Sequence, residues 1–481
     1  MTRPKKYFWN CVRIFFLVAL FLLCCTAVEI WAQESGNPPE TASRSKSVLT
    51  LADVIDLALH ANRSLISSAY GVESQALSVE VSQSEFDYKL FPQATAAATD
   101  ESRRVGGGVT FEKKYTPGVI TSISPQVYRL YEDDSDPAYG SQLGISLTVP
   151  LLRGFGSEIN LNGVRSAQYS LRSAKRSHYL VKVNTVLEAV AAVYNIVQQR
   201  ELVNLYQAQA DRLEGHAVMA KAREKIGLAT PIDVYRAQIR LKDAQNSLNQ
   251  AQEALRSAGD RLKIVLAAPL EQAVQVVAPL VCQPVDISAP DAVETALQHR
   301  VELKQVDDDV KEAQRAARLS KNNLSAQLDL VSSYTRLGYD DAFDGLTRFS
   351  EDFWSVQLIS ETDWSRTAEK ASYQQSRLAV RRASLSRSAR IDTIKREVRQ
   401  VYDALQKAQQ RMQIRTDQIE QAKGKQALAK IKFGHGMADN FDLIEAETEL
   451  QEARTNLLDA KVDYIVGTYR LRAALGTLIE S

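Results

Sequence analysis

Cysteine, methionine and histidine are all scarce in this chain, with 4, 4 and 5 residues among 481. Cys11, Cys24 and Cys25 lie within the first 25 positions, so beyond them Cys282 stands alone and no internal disulfide can form. His60, His178, His216, His299 and His435 are too far apart to read as a ligand cluster, and no metal or other cofactor is expected. Net charge is also lacking: 59 basic residues against 58 acidic ones leave +1, which singles out no charged partner. The basic run RLAVRRASLSRSARIDTIKR at 377–396 has no aromatic side chain to stack on bases. It reads as a solvated or paired helix face, and no nucleic-acid partner is expected. Phosphate-cradling glycine loops, nucleophile elbows and pocket-like carboxylate pairs are missing, which argues against an enzyme. With 21 glycines and 13 prolines, turn formers are few and long helices are favoured. After position 32 there is no run of about 18 apolar residues, so a membrane crossing beyond that point would have to be made by strands.

The first 32 residues have a different character. MTRPKK is basic, IFFLVALFLLCCTAV is apolar, and Ala32 stands just before Gln33. Residues 1–32 read as a cleaved secretory signal, with a retained membrane anchor as the alternative, and 33–48 as a linker.

What the rest of the chain does contain is written twice. KIGLATPID at 225–233 is matched 209 positions later by GHGMADNFD at 434–442. From Asp442 onward Leu443, Ala446, Leu450, Ala453, Leu457, Ala460 and Tyr464 follow spacings of three and four. Val234, Ala237, Leu241, Ala244, Leu248, Ala251, Leu255 and Ala258 keep the same step. These are heptad seams in which small residues let antiparallel helices approach closely. Before each tip, about Glu158 to Ile226 and Ser365 to Phe433 have no proline and scarcely any glycine, so each can run as one helix of about 100 Å. The quoted stretches are then hairpin tips: Gly227 and Gly436 end the descending helices, and Thr230 and Asp439 cap the returning ones. Asp233 and Asp442 sit three residues past those caps, beside free backbone N–H groups.

Ahead of each long helix lie a shorter helix and strands. DVIDLALHANRSL at 53–65 resembles DAVETALQHRVEL at 291–303. In SQLGISLTVPL at 141–151, Leu143, Ile145, Leu147 and Val149 alternate with Gln142, Gly144, Ser146 and Thr148. Strands are expected near 88–101, 141–151, 325–336 and 352–361, with Gly106 to Tyr139 an exposed loop able to carry its own hairpin. Asp329 on the polar side would be costly in a soluble core, whereas apolar outside and polar inside suits a transmembrane barrel strand. The expected fold is mainly α with β: a duplicated helix-strand-strand-helix-helix unit over 49–280 and 281–481, with long antiparallel coiled-coil hairpins. Four strands cannot close a barrel, so copies must associate.

LTLADVIDLALHAN at 49–62, VPLLRGFG at 149–156, the two tips and YRLRAALGTL at 469–478 together resemble the TolC-type outer-membrane efflux channel family. The resemblance implies a homotrimer with one shared twelve-stranded barrel in outer-membrane lipid and a helical periplasmic tunnel. It also implies docking of the tips to a periplasmic adaptor and an inner-membrane transporter. The positions matching the docking tips are Gly227, Leu228, Ala229, Thr230, Gly436, Met437, Ala438 and Asp439. Those matching the acidic ring of the tunnel mouth are Asp442 and Glu445, although helix capping is an equal reading of Asp442. Where the family latches one tip to the other through polar groups, this chain has Phe433 and Ala438, leaving Asp233 as the remaining contact. ISETDWSRT at 359–367 also lacks the Pro and Gly usual at the fourth strand's exit. The function implied is a passive exit duct of a tripartite efflux pump or a type I secretion system. The rival reading is an exported coiled-coil structural or adaptor protein without a pore.

Overall fold

The computed structural model describes residues 48–99, 102–132, 138–340 and 349–479. The expected signal, and the linker except its last residue, lie outside the described residues. Helix α1 (Leu51–Ala61) begins where the backbone N–H of Thr50 donates to Asp53 Oδ2 at 3.0 Å and its hydroxyl accepts from Asp53 N. Helix α2 (Arg63–Gln83) follows after Asn62, whose side-chain oxygen accepts from Ser64 N and Leu65 N. The sheet strands β2 (Tyr88–Ala98), β3 (Ser102–Lys114), β4 (Ile120–Glu132) and β5 (Ala138–Pro150) come next, then α3 (Asn162–Lys225) and α4 (Pro231–Val265). The second half repeats the plan with α5 (Ala289–His299), α6 (Val301–Asn322), β7 (Asp329–Asp340), β8 (Glu351–Ile359), α7 (Thr367–Gly434) and α8 (Asn440–Leu475). Helices α1 and α5 begin and end 238 positions apart, and Ser288 with Asp291 caps α5 as Thr50 with Asp53 caps α1. A short parallel pair, β1 (Leu49–Thr50) with β6 (Val276–Val277), ties the start of α1 to the segment after α4.

Helices α3 and α7, of 64 and 68 residues, each reach about 100 Å at 1.5 Å per residue. Each pairs antiparallel with the helix that follows it, and α3 also packs against α8. The alanines of the expected seam mark the closest approach: Ala237, Ala244, Ala251 and Ala258 are all buried, as are Ala446, Ala453 and Ala460. Helix α8 buries a second face as well, including Ile444, Leu458 and Ile465, because it lies between α3 and α7, whereas α4 has one covered face. One core gathers Val190, Val193, Val54, Ala58 and Leu262, where α1, α3 and α4 meet. Another gathers Ile394, Val398, Tyr464 and Leu471, and the Tyr464 hydroxyl donates to Gln283 O at 2.9 Å. Among the described residues α3 alone has a stretch long and apolar enough to cross a membrane as a helix, and half of that stretch is buried, as in a core helix.

The sheet departs from expectation in strand number. Instead of four strands it has six, in the antiparallel order β2 (Tyr88–Ala98), β3 (Ser102–Lys114), β4 (Ile120–Glu132), β5 (Ala138–Pro150), β7 (Asp329–Asp340), β8 (Glu351–Ile359). The segment expected to loop out between Gly106 and Tyr139 supplies β3 and β4. The physical reason it is hard to read is composition: three consecutive glycines and two strand-breaking tokens, Pro125 and the Thr116–Pro117–Gly118 turn, blur the alternation. Strand β7 also runs about four residues further than expected, to Asp340. At the β8 exit, where glycine is missing, Arg366 itself takes the left-handed conformation (φ 49°) and caps α7. Its guanidinium Nη1 donates to Leu324 O at 2.7 Å, which holds that turn against the end of α6.

One polar pair is sealed into the coiled coil. His216 Nε2 on α3 lies 3.0 Å from Glu447 Oε2 on α8, with both side chains largely buried and Arg212 Nε 3.9 Å away. Burial alone would raise the Glu447 carboxyl, but the hydrogen bond with His216 and the charges of His216 and Arg212 outweigh it and hold it below the ordinary value of 4.5. A carboxyl depressed in the fold stabilises above its unfolded value and loses that contribution as pH falls through the folded one. Glu447→Gln should therefore cost about 1 to 3 kcal/mol of urea stability at pH 7. The gap between the variant and the natural chain should close as the pH is lowered below about 4.5; a gap independent of pH would refute this origin.

Candidate functional site

Two features stand out as sites: the two-faced sheet and the paired helical tips. Register puts Leu143, Ile145, Leu147 and Val149 of β5 on the same face as Tyr334 and Leu330 of β7 and Trp354, Val356 and Leu358 of β8. Among the described residues nothing covers that face, and Trp354 is 78% exposed. The opposite face carries Gln142, Gly144, Ser146, Ser333, Thr335 and Ser355, and the Ser333 and Ser355 hydroxyls pair across β7 and β8 at 2.8 Å. Asp329 lies on this polar side, as the alternation required.

Hydrogen-bonded sheet order and helix packing run in parallel. Helix α2 leads into β2, α3 leaves β5, α6 leads into β7 and α7 leaves β8. Tyr169 Oη donates to Asp309 at 2.8 Å and Arg176 Nη2 to Asp308 at 2.6 Å, joining α3 to α6. The Tyr169 hydroxyl, desolvated and held by Asp309, is pushed up to about 12, so this joint does not titrate in the neutral range. Helices α2 and α7 are left as flanks, and each keeps an apolar stripe open: Tyr70, Leu77 and Val81 on α2, Leu378 and Leu385 on α7.

The tips repeat bond for bond. Leu228 N donates to Arg223 O and Gly227 N to Glu224 O at 2.9 and 3.0 Å; Met437 N donates to Lys432 O and Gly436 N to Phe433 O at 2.9 and 3.2 Å. Gly227 and Gly436 have φ of 76° and 73°, the left-handed position such helix ends demand. After them Thr230 N donates to Asp233 Oδ2 at 2.9 Å, and Asp439 N to Asp442 Oδ2 at 3.2 Å. The Thr230 hydroxyl and N–H together hold Asp233 below the usual carboxylate range. Asp442 is thus a capping residue in this structure, and it is exposed at the same time. Leu228 and Met437 project into solvent, whereas Ala229 and Ala438 are half-buried.

Past the tips the two returning helices differ in sign on one face. Asp442, Glu445, Glu449 and Glu452 on α8 correspond to Asp233, Arg236, Arg240 and Asp243 on α4. Lys425 on α7 reaches Glu449 at 2.7 Å. That hydrogen bond first, then the charges of Glu449, Glu445 and Asp442, hold the Lys425 ammonium above its usual range. A cross-tip contact that composition had concealed also appears. Phe433, buried and without a hydroxyl, lies under the Arg223 guanidinium at 4.1 Å, and Phe441 lies 5.7 Å from Arg236. The two tips of one chain are therefore clamped by arginine on aromatic rings.

No family model and no curated protein matches the sequence. Solved structures do. The Campylobacter jejuni CmeC outer membrane channel superposes with a TM-score of 0.68 at 15% identity, over 89% of this chain and 86% of that one. The outer membrane protein VceC of Vibrio cholerae gives 0.68 at 14% identity, over 89% and 96%. The open state of the Neisseria gonorrhoeae MtrE outer membrane channel gives 0.66 at 16%, over 89% of each chain. The chain has the fold of TolC-type outer-membrane channels.

The clamp makes a measurable claim. Combining Arg223→Gln and Phe433→Leu in a double-mutant cycle should give a coupling of about 0.5 to 2 kcal/mol. Amide exchange at both tips, 225–233 and 434–442, should quicken by about two- to thirty-fold, the equivalent of that energy. Additive single effects would mean that the ring and the guanidinium merely sit close.

Proposed function

We propose that this chain is the outer-membrane exit duct of a tripartite efflux pump or type I secretion system, conducting substrates passively from periplasm to exterior. The observation that carries the reading is the uncovered apolar face of the sheet, backed by a small polar face. In water such a face would be an aggregation liability; in a bilayer it is the outer surface of a barrel. Trp364 and Phe155, both exposed at the strand exits, suit the interfacial belt of such a barrel. The soluble coiled-coil reading gives that face nothing to meet.

The open edges β2 and β8 and the open flanks α2 and α7 stand at matching ends of the two layers, so one further copy can satisfy both at once. We take the assembly to be the homotrimer that the resemblance implies, with 49–280 and 281–481 as its duplicated units. Gly227 to Thr230 and Gly436 to Asp439 form the docking ends for a periplasmic adaptor and, through it, an inner-membrane transporter. Asp442 and Glu445, both exposed, ring the tunnel mouth, with Asp233 and the arginine clamp beside them. The outer membrane is the location this reading requires, and transport the activity; no reaction is catalysed.

Outer-membrane fractions should contain the protein as an oligomer that heat dissociates in detergent, and recovery only as a soluble periplasmic monomer would end the channel reading. At the mouth, Asp442→Ala with Glu445→Ala should raise single-channel conductance in planar bilayers. It should also raise the half-blocking concentration of divalent cations by about fivefold or more, since each carboxylate near a cation contributes about 1 kcal/mol even at the dielectric of water. Asp53→Ala removes an equivalent cap on α1 rather than at a tip and should leave the block unchanged. Equal effects of the two changes would assign the acidic residues to capping alone.

A further inference from the structure

We infer that β3 and β4 are wall strands of the membrane barrel, so that three copies close eighteen strands around a bore about as wide as the helical tunnel. The inference rests on the channel reading above and departs from the twelve strands that the resemblance implies. Six strands from each of three copies give the eighteen.

The apolar face continues unbroken across the added hairpin. Leu90 of β2 stands opposite Phe111 of β3, Phe111 opposite Ile123 of β4, and Ile123 opposite Ile145 of β5. A second row runs through Pro92, Val109, Pro125 and Leu143. Both borders of this field carry cations on aromatic rings. At one, Lys113 Nζ lies over the Tyr88 ring at 4.2 Å; at the other, the Arg129 guanidinium lies 4.7 Å from both Tyr131 and Tyr139. Arg103 and Lys113, ten residues apart on β3, bracket about 25 Å along the membrane normal at a strand tilt near 40°, the height of the apolar band of outer-membrane barrels. A hairpin lying in water has no need of that field or of its two girdles.

Glycines report which face is concave. On the polar side a Cβ at Gly106 or Gly108 would come within 2.7 or 2.6 Å of a neighbouring atom, and one at Gly140 would collide with the Tyr128 ring. On the apolar side, Gly107 meets nothing nearer than 3.5 Å. Side chains converge on the inside of a curve, so β3 and β4 bend with their polar face inward, as wall strands must. The Ser122 and Ser146 hydroxyls, 2.8 Å apart, and Thr110 and Gln126 line that inner face. Below, the hairpin turn is keyed into the strand exit: Gly156 N donates to Pro117 O at 2.9 Å, and Asn160 Nδ2 donates to Gly154 O at 2.7 Å.

Strands 4.8 Å apart and tilted near 40° put the backbone diameter at about 36 Å for eighteen strands and about 24 Å for twelve. A ring of twelve helices spaced about 9 Å apart is about 34 Å across. Cargo leaving the helical section would meet no neck at the membrane, which leaves the tips as the place of size selection.

The test uses spin labels on the chain as it stands after removal of residues 1–32, with Cys282→Ala taking away its one remaining thiol, reconstituted in liposomes. Labels at Phe111→Cys and Ile123→Cys should be relaxed by oxygen dissolved in lipid, and labels at Thr110→Cys and Gln126→Cys by a water-soluble nickel chelate. Val356→Cys on β8 is the control. If it lies in lipid while Phe111→Cys and Ile123→Cys meet only water, the hairpin is outside the wall and this inference fails while the channel reading stands. If Val356→Cys itself meets only water, both fall. Dipolar distances between copies labelled at Gln142→Cys on β5 should centre at about 31 Å for eighteen strands, whereas about 21 Å would return the barrel to twelve.

Discussion

A sheet placed in hydrocarbon cannot end. Each unpaired backbone group on β2 or β8 would cost several kcal/mol where no water can reach it, and both strands expose such groups along their length. Among the described residues nothing pairs with either edge, since β2 and β8 stand at opposite ends of one six-stranded antiparallel sheet. The proposed closure by further copies answers this, and the helices concur with it. The flanking stripes of α2 and α7 are apolar and open on the same two ends that the sheet leaves open. One ring of contacts, sheet to sheet and helix to helix, satisfies hydrogen bonding above and hydrophobic burial below.

Helix ends and close approaches then set how far each hairpin reaches. The long helices persist because nothing in them breaks the backbone: proline is absent from both, and their small seam residues allow axes to approach closely. They stop where a glycine takes a left-handed turn, and the returning helix starts at once under a capping carboxylate. That both tips use the same bonds while the helices beyond them differ in charge separates two requirements. Turning back is a backbone problem with one economical answer, so it is kept. What the surface offers to its surroundings can vary, and there α8 has Glu445 and Glu449 where α4 has Arg236 and Arg240.

Those differences decide what could be read without coordinates. Helix extents, seams, tips and caps were legible to within a few residues because each depends on local signals: spacing of small and large apolar groups, a glycine, a capping side chain. The strands with clean alternation, β5 and β8, were legible for the same reason. Strands β3 and β4 were legible only as a hairpin within an exposed loop and not as sheet strands, since Gly106 to Gly108 and Pro125 imitate loop composition, and the reason for them is curvature, a property of the assembled sheet. The arginine clamp escaped for a related cause. Phe433 could be seen to lack a hydroxyl, but the guanidinium of Arg223, 210 positions away, becomes its neighbour only once the hairpins lie side by side. Arg366 filling a glycine's conformational role is the same lesson at a single residue.

Width links the two halves of the molecule more tightly than chain continuity alone. Strands sit about 4.8 Å apart and helices about 9 Å, so equal numbers of each cannot form rings of equal circumference until strand tilt and helix spacing are brought into balance. In the proposed duct, with four helices per copy at the upper level, α2, α3, α6 and α7, four strands per copy would narrow the bore as it meets the membrane, and six remove that mismatch. The turn at Tyr115 to Gly118, docked on the β5 exit by Gly156 and Pro117, sits where the two spacings meet. The added hairpin is therefore best understood as a solution to joining two lattices of different pitch: it lets a broad helical ring continue into a barrel without strain being concentrated in the strand exits.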